Sequence, residues 1–339
     1  MRRDRHSELR VRVQVADRGS RIQWMDFVRG AAMLALLVWH ASSIPTIYQP
    51  ASMPDAFAHL NNFLAPYRMP VLMFLSGMLL GRSLTKPFGE YYGGKLRKLL
   101  WPYVVWAAIF LAATQQLELF ARPQVWIPVT YLWFLLFVFI YYCVAPLVGR
   151  FPPGVIPLVA IIVSMMIEDR GFISKFVLFA AYFYLGHQLS SSTRACYATT
   201  RGVVRWTALI AAVVLSLFAP SGWSIVAIIT SLIGIVAVVG WFQRFYRAPQ
   251  KSRFVEYVGA HSIVYYLSHF PVMFGMGAVL EVFGLDDFYL LFVANVVAAL
   301  LVGWVLSKLK ARYPIALLFE FPATSYWARR RRARSGAMS

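Results

Sequence analysis

Residues 24–40 read WMDFVRGAAMLALLVWH, an apolar run in which Asp26, Arg29 and His40 are the only ionisable side chains. The run continues to about residue 44, and about 20 apolar residues in a helix cross the roughly 30 Å hydrocarbon core of a bilayer. A basic segment precedes the run, and no small-residue cleavage site follows it. We therefore expect a retained first membrane helix and not a removed signal peptide.

Nine further apolar runs follow along the chain. The sequence thus predicts an all-α integral membrane protein with about ten transmembrane helices. The predicted spans cover approximately residues 25–44, 60–80, 99–117, 129–149, 154–168, 174–190, 203–219, 223–242, 258–280 and 288–308. The fifth span is short, and a tight turn with two prolines joins it to the fourth.

The charges between the spans predict the orientation of the chain. Cytoplasmic loops of membrane proteins carry an excess of Lys and Arg. With ten spans and both termini in the cytoplasm, the inner segments hold 29 of the 33 Lys and Arg residues. The four on the other side are Arg68, Arg122, Arg170 and Lys175. A wrong number of spans would scramble this alternation, so we expect a multipass inner-membrane protein with cytoplasmic termini.

The overall composition excludes several other classes. Only 14% of the residues are charged and 60% are hydrophobic, whereas a soluble domain carries about 25% charged residues. The net charge of +19 comes from clusters between apolar runs, which indicates orientation and lipid headgroups and not a nucleic-acid partner. The two cysteines, Cys143 and Cys196, lie in no metal or redox motif, so we expect no metal site.

The first helix places its ionisable residues on one face. Arg29 and His40 are eleven positions apart, about three turns plus 20°, with a rise of about 16 Å. Asp26 is three residues before Arg29 and is expected to pair with it. A guanidinium suits phosphate or carboxylate recognition, and a neutral imidazole suits general-base work. The alternative is that Asp26 and Arg29 only cap and orient the helix while His40 bonds a neighbouring backbone.

The next two segments carry further polar groups. The second span includes Arg68, Pro70, Ser76 and Gly77. Pro70 is expected to kink the helix and to free a carbonyl near Arg68. Residues 95–103 read KLRKLLWPY, which is typical of positive-inside charge and is also compatible with a cytoplasmic phosphate clamp.

These segments together resemble the membrane acyltransferase-3 family of multipass O-acyltransferases. The resemblance rests on DFVRG at residues 26–30 with ten residues between Arg29 and His40, and on RMPVLMFLSG at residues 68–77. Arg97 before Pro-Tyr, LWFL at 132–135 and YYLSHFP at 265–271 continue it, and the pieces span about residues 21–310.

The resemblance implies transfer of an acyl group from cytoplasmic acyl-CoA to a hydroxyl, usually on an envelope sugar. It implies no tightly bound cofactor, with acyl-CoA as the donor substrate, and a glycan or glycolipid acceptor at the outer face. It makes Arg29 and His40 essential. We add the other site residues by location. Our hypothesis assigns catalysis to His40, Arg29, Asp26 and Arg68, donor binding to Arg82, Arg97, Lys98, Ser76 and Gly77, and acceptor binding to Trp133, His269 and Tyr265.

The predicted organisation is a basic tail over 1–20, the membrane domain over 21–310, and a terminal segment over 311–339. Within the last, residues 313–327 are expected to lie at the membrane interface, anchored by Tyr326, Trp327 and the arginines at 329–332. Two other functions stay open: a transporter or flippase for a lipid-linked glycan or a proton-coupled solute, and a non-catalytic partner in an envelope complex. Acyl-CoA binding would separate the acyltransferase from both.

Overall fold

The computed structural model describes a helical chain. It describes residues 2–48, 53–114, 122, 126–127, 130–168, 171–199, 202–218, 224–246 and 253–322, without the side chains of 2–22, 191–199, 205 and 243–245. No strand occurs in these ranges. The α-helices are α1 (Arg2–Ser43), α2 (Pro45–Tyr48), α3 (Asp55–Met78), α4 (Leu80–Leu84), α5 (Phe88–Lys95), α6 (Trp101–Ala113), α7 (Trp133–Val148), α8 (Val155–Met166), α9 (Phe172–Thr199), α10 (Gly202–Phe218), α11 (Ile225–Phe245), α12 (Arg253–Ala260), α13 (Ser262–Val282) and α14 (Phe288–Leu309).

The predicted class, an all-α membrane protein, is confirmed. Seven segments among the described residues are long and apolar enough to cross a bilayer, and each overlaps a predicted span. The other three predicted spans coincide with α8, α9 and α10, of which α8 and α10 are short for a bilayer. The total of ten spans and the cytoplasmic location of the termini stay predictions.

The third span begins earlier than predicted. Its segment runs from Phe88 to Ala113, and a π-helical turn at Leu96–Leu100 joins α5 to α6. In that turn the Trp101 N–H donates to the carbonyl of Leu96, five residues back. Pro102 has no N–H with which to continue the α-helical hydrogen-bond ladder. The pattern of backbone hydrogen bonds therefore changes at this point.

Reciprocal glycine pairs bring two helix pairs into backbone contact. A Cβ on Gly259 of α12 would lie 1.7 Å from the carbonyl oxygen of Asp26 in α1, and one on Gly30 would lie 1.9 Å from that of Val255. The same arrangement joins α3 to α9: a Cβ on Gly77 would lie 1.8 Å from the Phe183 carbonyl oxygen, and one on Gly186 would lie 2.1 Å from that of Phe74. Small residues permit such close packing where the hydrophobic effect between helices is weak.

Hydroxyl groups satisfy the carbonyls that three helix-internal prolines leave free. A proline removes the donor to the carbonyl four residues earlier, which is costly within a membrane. For Pro70 this carbonyl belongs to Pro66, and the Ser231 hydroxyl of α11 donates to it at 2.6 Å. The carbonyl that Pro70 was expected to free near Arg68 is thus engaged by Ser231 of α11.

The other two prolines follow the same rule. Pro146 in α7 frees the carbonyl of Tyr142, which accepts a hydrogen bond from the Tyr91 hydroxyl at 2.6 Å. Pro271 in α13 frees the carbonyl of Leu267, which accepts from the Tyr131 hydroxyl at 2.8 Å. Each of these proline-containing helices is thereby tied to another part of the bundle.

The described part of the C-terminal segment docks against α6. The indole nitrogens of Trp101 and Trp106 donate to the carbonyls of Leu317 and Leu318 at 2.7 and 2.9 Å. Arg97 forms an ion pair with Glu320 at 2.6 Å. These contacts hold residues 315–321 on the protein, whereas Tyr326, Trp327 and the arginines at 329–332 lie outside the described residues.

Candidate active site

Asp26 and Arg29 form the ion pair that their spacing predicts. The Arg29 Nη1 lies 3.3 Å from the Asp26 Oδ1, and about one fifth of each side chain is exposed. Both residues belong to α1, which packs against α3, α12, α13 and α14 near the centre of the bundle. Because α12 contacts the backbone of Asp26, the glycine crossing also fixes the position of this ion pair.

Arg29 lines an inner cavity of about 130 Å³ together with Ser76 of α3 and Tyr266 of α13. The other lining residues are mostly apolar and come from α1, α3, α7 and α13: Met33, Leu72, Phe134, Leu135, Val138, Ser262 and Ile263, with Leu99 from the π-helical turn. A guanidinium thus faces a narrow apolar space. Such a space suits an extended chain with polar groups at few points.

A larger outer cavity of about 570 Å³ adjoins the basic loop. Arg97, Lys98 and Lys310 contribute its positive charges, and Glu320 contributes a negative one. Ile263 lines this cavity and the inner one, so the two spaces share a wall. The predicted phosphate clamp and Arg29 therefore line neighbouring cavities.

His40 lies among aromatic rings at the other end of the α1 face. Its ring centroid is 5.1 Å from that of His269 and 5.0 Å from that of Phe270, both in α13. His269 is in turn 6.0 Å from Tyr266, which lines the inner cavity. The two histidines, which lie 229 positions apart in the sequence, are neighbours because α13 packs on α1.

Backbone hydrogen bonds determine the tautomer of His269. Its Nδ1 lies 2.7 Å from the carbonyl oxygen of Tyr266 and 3.1 Å from that of Tyr265. Carbonyls only accept, so Nδ1 carries the hydrogen. The neutral ring then presents an unprotonated Nε2, which is fully buried and has no hydrogen-bond partner among the described residues. This nitrogen is a buried acceptor beside His40.

Two cations lie against tryptophan rings of the bundle. Arg68 is buried, its guanidinium is 4.6 Å from the centre of the Trp39 ring, and its Nη1 donates a long hydrogen bond of 3.4 Å to Asn61. Lys175 of α9 holds its Nζ 3.6 Å from the centre of the Trp133 ring.

Three of the predicted site residues line neither cavity and pack or point elsewhere. Gly77 packs against the α9 backbone, so it does not line the donor route. Tyr265 is fully buried against Gly303 of α14, where its ring fills the space a side chain would need. Arg82 is exposed on α4 and lines neither cavity.

The residue after Tyr265 lines a cavity, although the sequence did not single it out. Tyr266 lines the inner cavity, and its hydroxyl donates to the carbonyl of Tyr131. The contact of Lys175 with Trp133 was not predicted either, because the position of Lys175 after a loop indicated only a charge on the outer side of the membrane. A helical wheel of α13 around His269 would have separated the two tyrosines, but nothing in the local sequence marked Lys175.

Comparison with known proteins identifies the family. The model of an acyltransferase domain, Acyl_transf_3, matches residues 22–308. The chain belongs to the acyltransferase-3 family. This acyltransferase is similar to the inner membrane protein YcfT of Escherichia coli (strain K12), with 20% identity over 286 residues that cover 73% of this chain and 78% of that protein. No solved structure matches the chain significantly. The matched range includes every site residue predicted from the sequence and none of the terminal segment. The family assignment therefore rests on the membrane domain.

Proposed function

We propose that this acyltransferase moves an acyl group, of the acetyl or succinyl type, from cytoplasmic acyl-CoA to a hydroxyl of a cell-envelope glycan or glycolipid. The family supports acyl transfer in a membrane. The observation that carries the more specific proposal is a pair of adjoining cavities. Arg97 and Lys98 line one of them, and Arg29 and Tyr266 line the other.

The donor enters at the larger cavity. Its phosphates contact Arg97 and Lys98, since guanidinium and ammonium groups form charge-assisted hydrogen bonds with phosphate oxygens. The pantetheine arm then passes Ile263 into the narrow inner cavity, where Arg29 and Ser76 offer polar contacts. Gly77 and Arg82, which were predicted to bind the donor, have no part in this proposal because neither lines a cavity of the donor path.

The reaction takes place at His40. As a general base, His40 takes the proton from the acceptor hydroxyl while the hydroxyl oxygen attacks the thioester carbon. The carbon–sulfur bond then breaks, and the proton passes from His40 to the CoA thiolate. Alternatively, an imidazole nitrogen attacks first, CoA leaves, and the acceptor oxygen displaces the acyl group from the ring. Both routes use the same donor and acceptor.

Neighbouring side chains assist this step. Arg68 donates to the oxyanion that develops on the thioester carbonyl. The unprotonated Nε2 of His269 accepts a hydrogen bond from His40 or from the acceptor hydroxyl and so orients that group, since its other nitrogen donates to backbone carbonyls. Trp133 forms part of the acceptor site beside Lys175. Tyr265 has no role in this scheme because it is packed against α14.

Two substitutions test the proposal. His40→Ala and Arg29→Ala are expected to abolish transfer of labelled acetyl or succinyl groups to envelope glycans, measured by mass spectrometry of the glycans from cells that produce each variant. His59→Ala and Arg253→Ala serve as controls, because both side chains are exposed on helices of the same bundle. Full activity of the first two variants, inserted normally, would sink the mechanism.

Donor binding separates the enzyme from a transporter or a structural partner. The detergent-purified full-length protein should bind acetyl-CoA or succinyl-CoA, and Arg97→Ala should weaken that binding. Lys86→Ala is the matched control, because Lys86 is a half-exposed cation outside both cavities. Binding that Arg97→Ala leaves unchanged would exclude the proposed phosphate site.

A further inference from the structure

A short turn after α14 forms part of the wall of the outer cavity. Residues 310–314 make up this turn, here called the C-terminal turn, and Lys310 and Tyr313 both line the cavity. The family match ends at residue 308, before the turn begins. The contribution of the turn to the cavity is therefore a feature that the family match does not describe.

The C-terminal turn is held in place at both ends. The N–H of Arg312 donates to the carbonyl of Leu309 in α14 at 2.8 Å, and the N–H of Leu317 donates to the carbonyl of Pro314 at 2.9 Å. Residues 315–321, which follow the turn, are docked on α6 through the indoles of Trp101 and Trp106. The backbone that carries Lys310 and Tyr313 is thus fixed on the cavity wall.

The outer cavity has an excess of positive charge. Three cations line it, Arg97, Lys98 and Lys310, against one carboxylate, Glu320, and Arg97 already engages that carboxylate at 2.6 Å. Lys98 and Lys310 form no ion pair within the described ranges of the chain. Two ammonium groups on one wall suit a ligand with more than one phosphate, because each forms charge-assisted hydrogen bonds with phosphate oxygens.

The size of the cavity and its exposed aromatic ring favour a nucleotide over a lipid headgroup. The volume of about 570 Å³ lies within the usual range of small-molecule sites, whereas the neighbouring inner cavity has only about 130 Å³. Tyr313 is 47% exposed at the wall, where its ring can stack on a flat base. A phospholipid headgroup offers phosphate but no flat ring, so it would use the cations and leave the tyrosine without a function.

We propose that the C-terminal turn binds the nucleotide end of a thioester donor: the ring of Tyr313 stacks on the base, and Lys310 contacts a phosphate. The assignment rests on the proposed acyl transfer, and it specifies the class of donor. That donor is a thioester of CoA and not a thioester on the phosphopantetheine of a carrier protein, which has no base. Lys310 adds a third cation to Arg97 and Lys98, which contact the donor's other phosphates.

Three ligands that divide the donor into its parts test this assignment on the detergent-purified full-length protein. Acetyl-CoA is the complete donor, S-acetylphosphopantetheine has the same arm without the nucleotide, and adenosine 3′,5′-bisphosphate is a nucleotide without the arm. Calorimetric titration measures the three dissociation constants. We expect acetyl-CoA to bind on the order of 100-fold more tightly than S-acetylphosphopantetheine, about tenfold from stacking and about tenfold from phosphate contacts.

Substitutions in the turn assign the effect to its residues. Tyr313→Ala should weaken acetyl-CoA and the bisphosphate about tenfold and leave S-acetylphosphopantetheine unchanged, while Tyr313→Phe, which keeps the ring, should bind like the wild type. Lys310→Met should weaken the bisphosphate about tenfold. Lys308→Met is the matched control, because Lys308 is an exposed lysine two positions earlier that lines neither cavity.

The contrary results separate this proposal from the proposed acyl transfer. Equal binding of acetyl-CoA and S-acetylphosphopantetheine, no binding of either nucleotide, or wild-type affinities in both Tyr313→Ala and Lys310→Met would overturn the nucleotide site. Displacement of the bisphosphate by an equal concentration of phosphatidylglycerol, without any effect of Tyr313→Ala, would assign the cavity to a lipid headgroup instead. If the bisphosphate binds through Tyr313 but no acetyl group leaves acetyl-CoA, the nucleotide site stands and the acyl transfer fails.

Discussion

Replacing Gly259 by alanine should move α12 away from α1 and lower acyl transfer. The added Cβ would lie 1.7 Å from the Asp26 carbonyl oxygen, where the contact distance between a carbon and an oxygen is about 3.3 Å. The two backbones would need to separate by about 1.6 Å, the difference between these distances. Backbone cannot rotate out of the way as a side chain can, so the strain is passed to the helices.

The size of the effect follows from what α1 carries. Overpacking of this kind costs about 1–3 kcal/mol of stability, which a folded bundle can tolerate. A displacement of about 1 Å at a reacting group costs on the order of 100-fold in rate. Because Asp26 is the residue that the new Cβ contacts and Arg29 pairs with it, we expect transfer to fall roughly 100-fold while the protein still folds.

The assay measures release of the free CoA thiol and transfer of the acyl group by full-length protein in detergent. Gly275→Ala in α13 is the control, since nothing lies within 4 Å of a Cβ at that position. Wild-type activity and stability in Gly259→Ala would refute the reasoning.

Two further predictions concern the C-terminal segment that docks on α6 and the proline-containing helix α13. Glu320→Gln should tighten acyl-CoA binding by at most about fivefold, because it releases Arg97 from a partly exposed ion pair worth no more than about 1 kcal/mol, measured by titration. Tyr131→Phe should lower the free energy of unfolding by about 1–3 kcal/mol, because the Leu267 carbonyl would be buried without a donor, measured by denaturation in detergent. Tyr289→Phe, at an exposed tyrosine, should be neutral.

Each of these has a contrary result. Weaker donor binding in Glu320→Gln would mean that the docked segment forms part of the donor site and does not compete with it. An unchanged stability in Tyr131→Phe, equal to that of Tyr289→Phe, would mean that another group satisfies the carbonyl of Leu267.

The helical segments were largely predictable because a membrane imposes a simple rule. An apolar run of about 20 residues must satisfy its own backbone, and a helix does so locally. Asp26 and Arg29 were also predictable, since three residues along a helix bring two side chains together. The start of the third span was not, because Phe88 precedes a π-helical turn that local hydropathy does not reveal.

The site depended on contacts between distant segments. The first span indicated Arg29 and His40 by their types and spacing, but not which side chains surround them. The choice between Tyr265 and Tyr266 depended on the side of α13 that meets α14, and the packing against Gly303 decides it. The role of Gly77 was decided in the same way, by the approach of α9.

The sequence alone determined that this protein crosses the membrane several times and carries an arginine and a histidine on one face of its first helix. Hydrophobic length and helical period are local properties, so they need no knowledge of neighbours. The tertiary structure decided that His40 meets His269, and that two cavities share Ile263. Those facts arise from helices that pack across long stretches of chain, and only the packed bundle contains them.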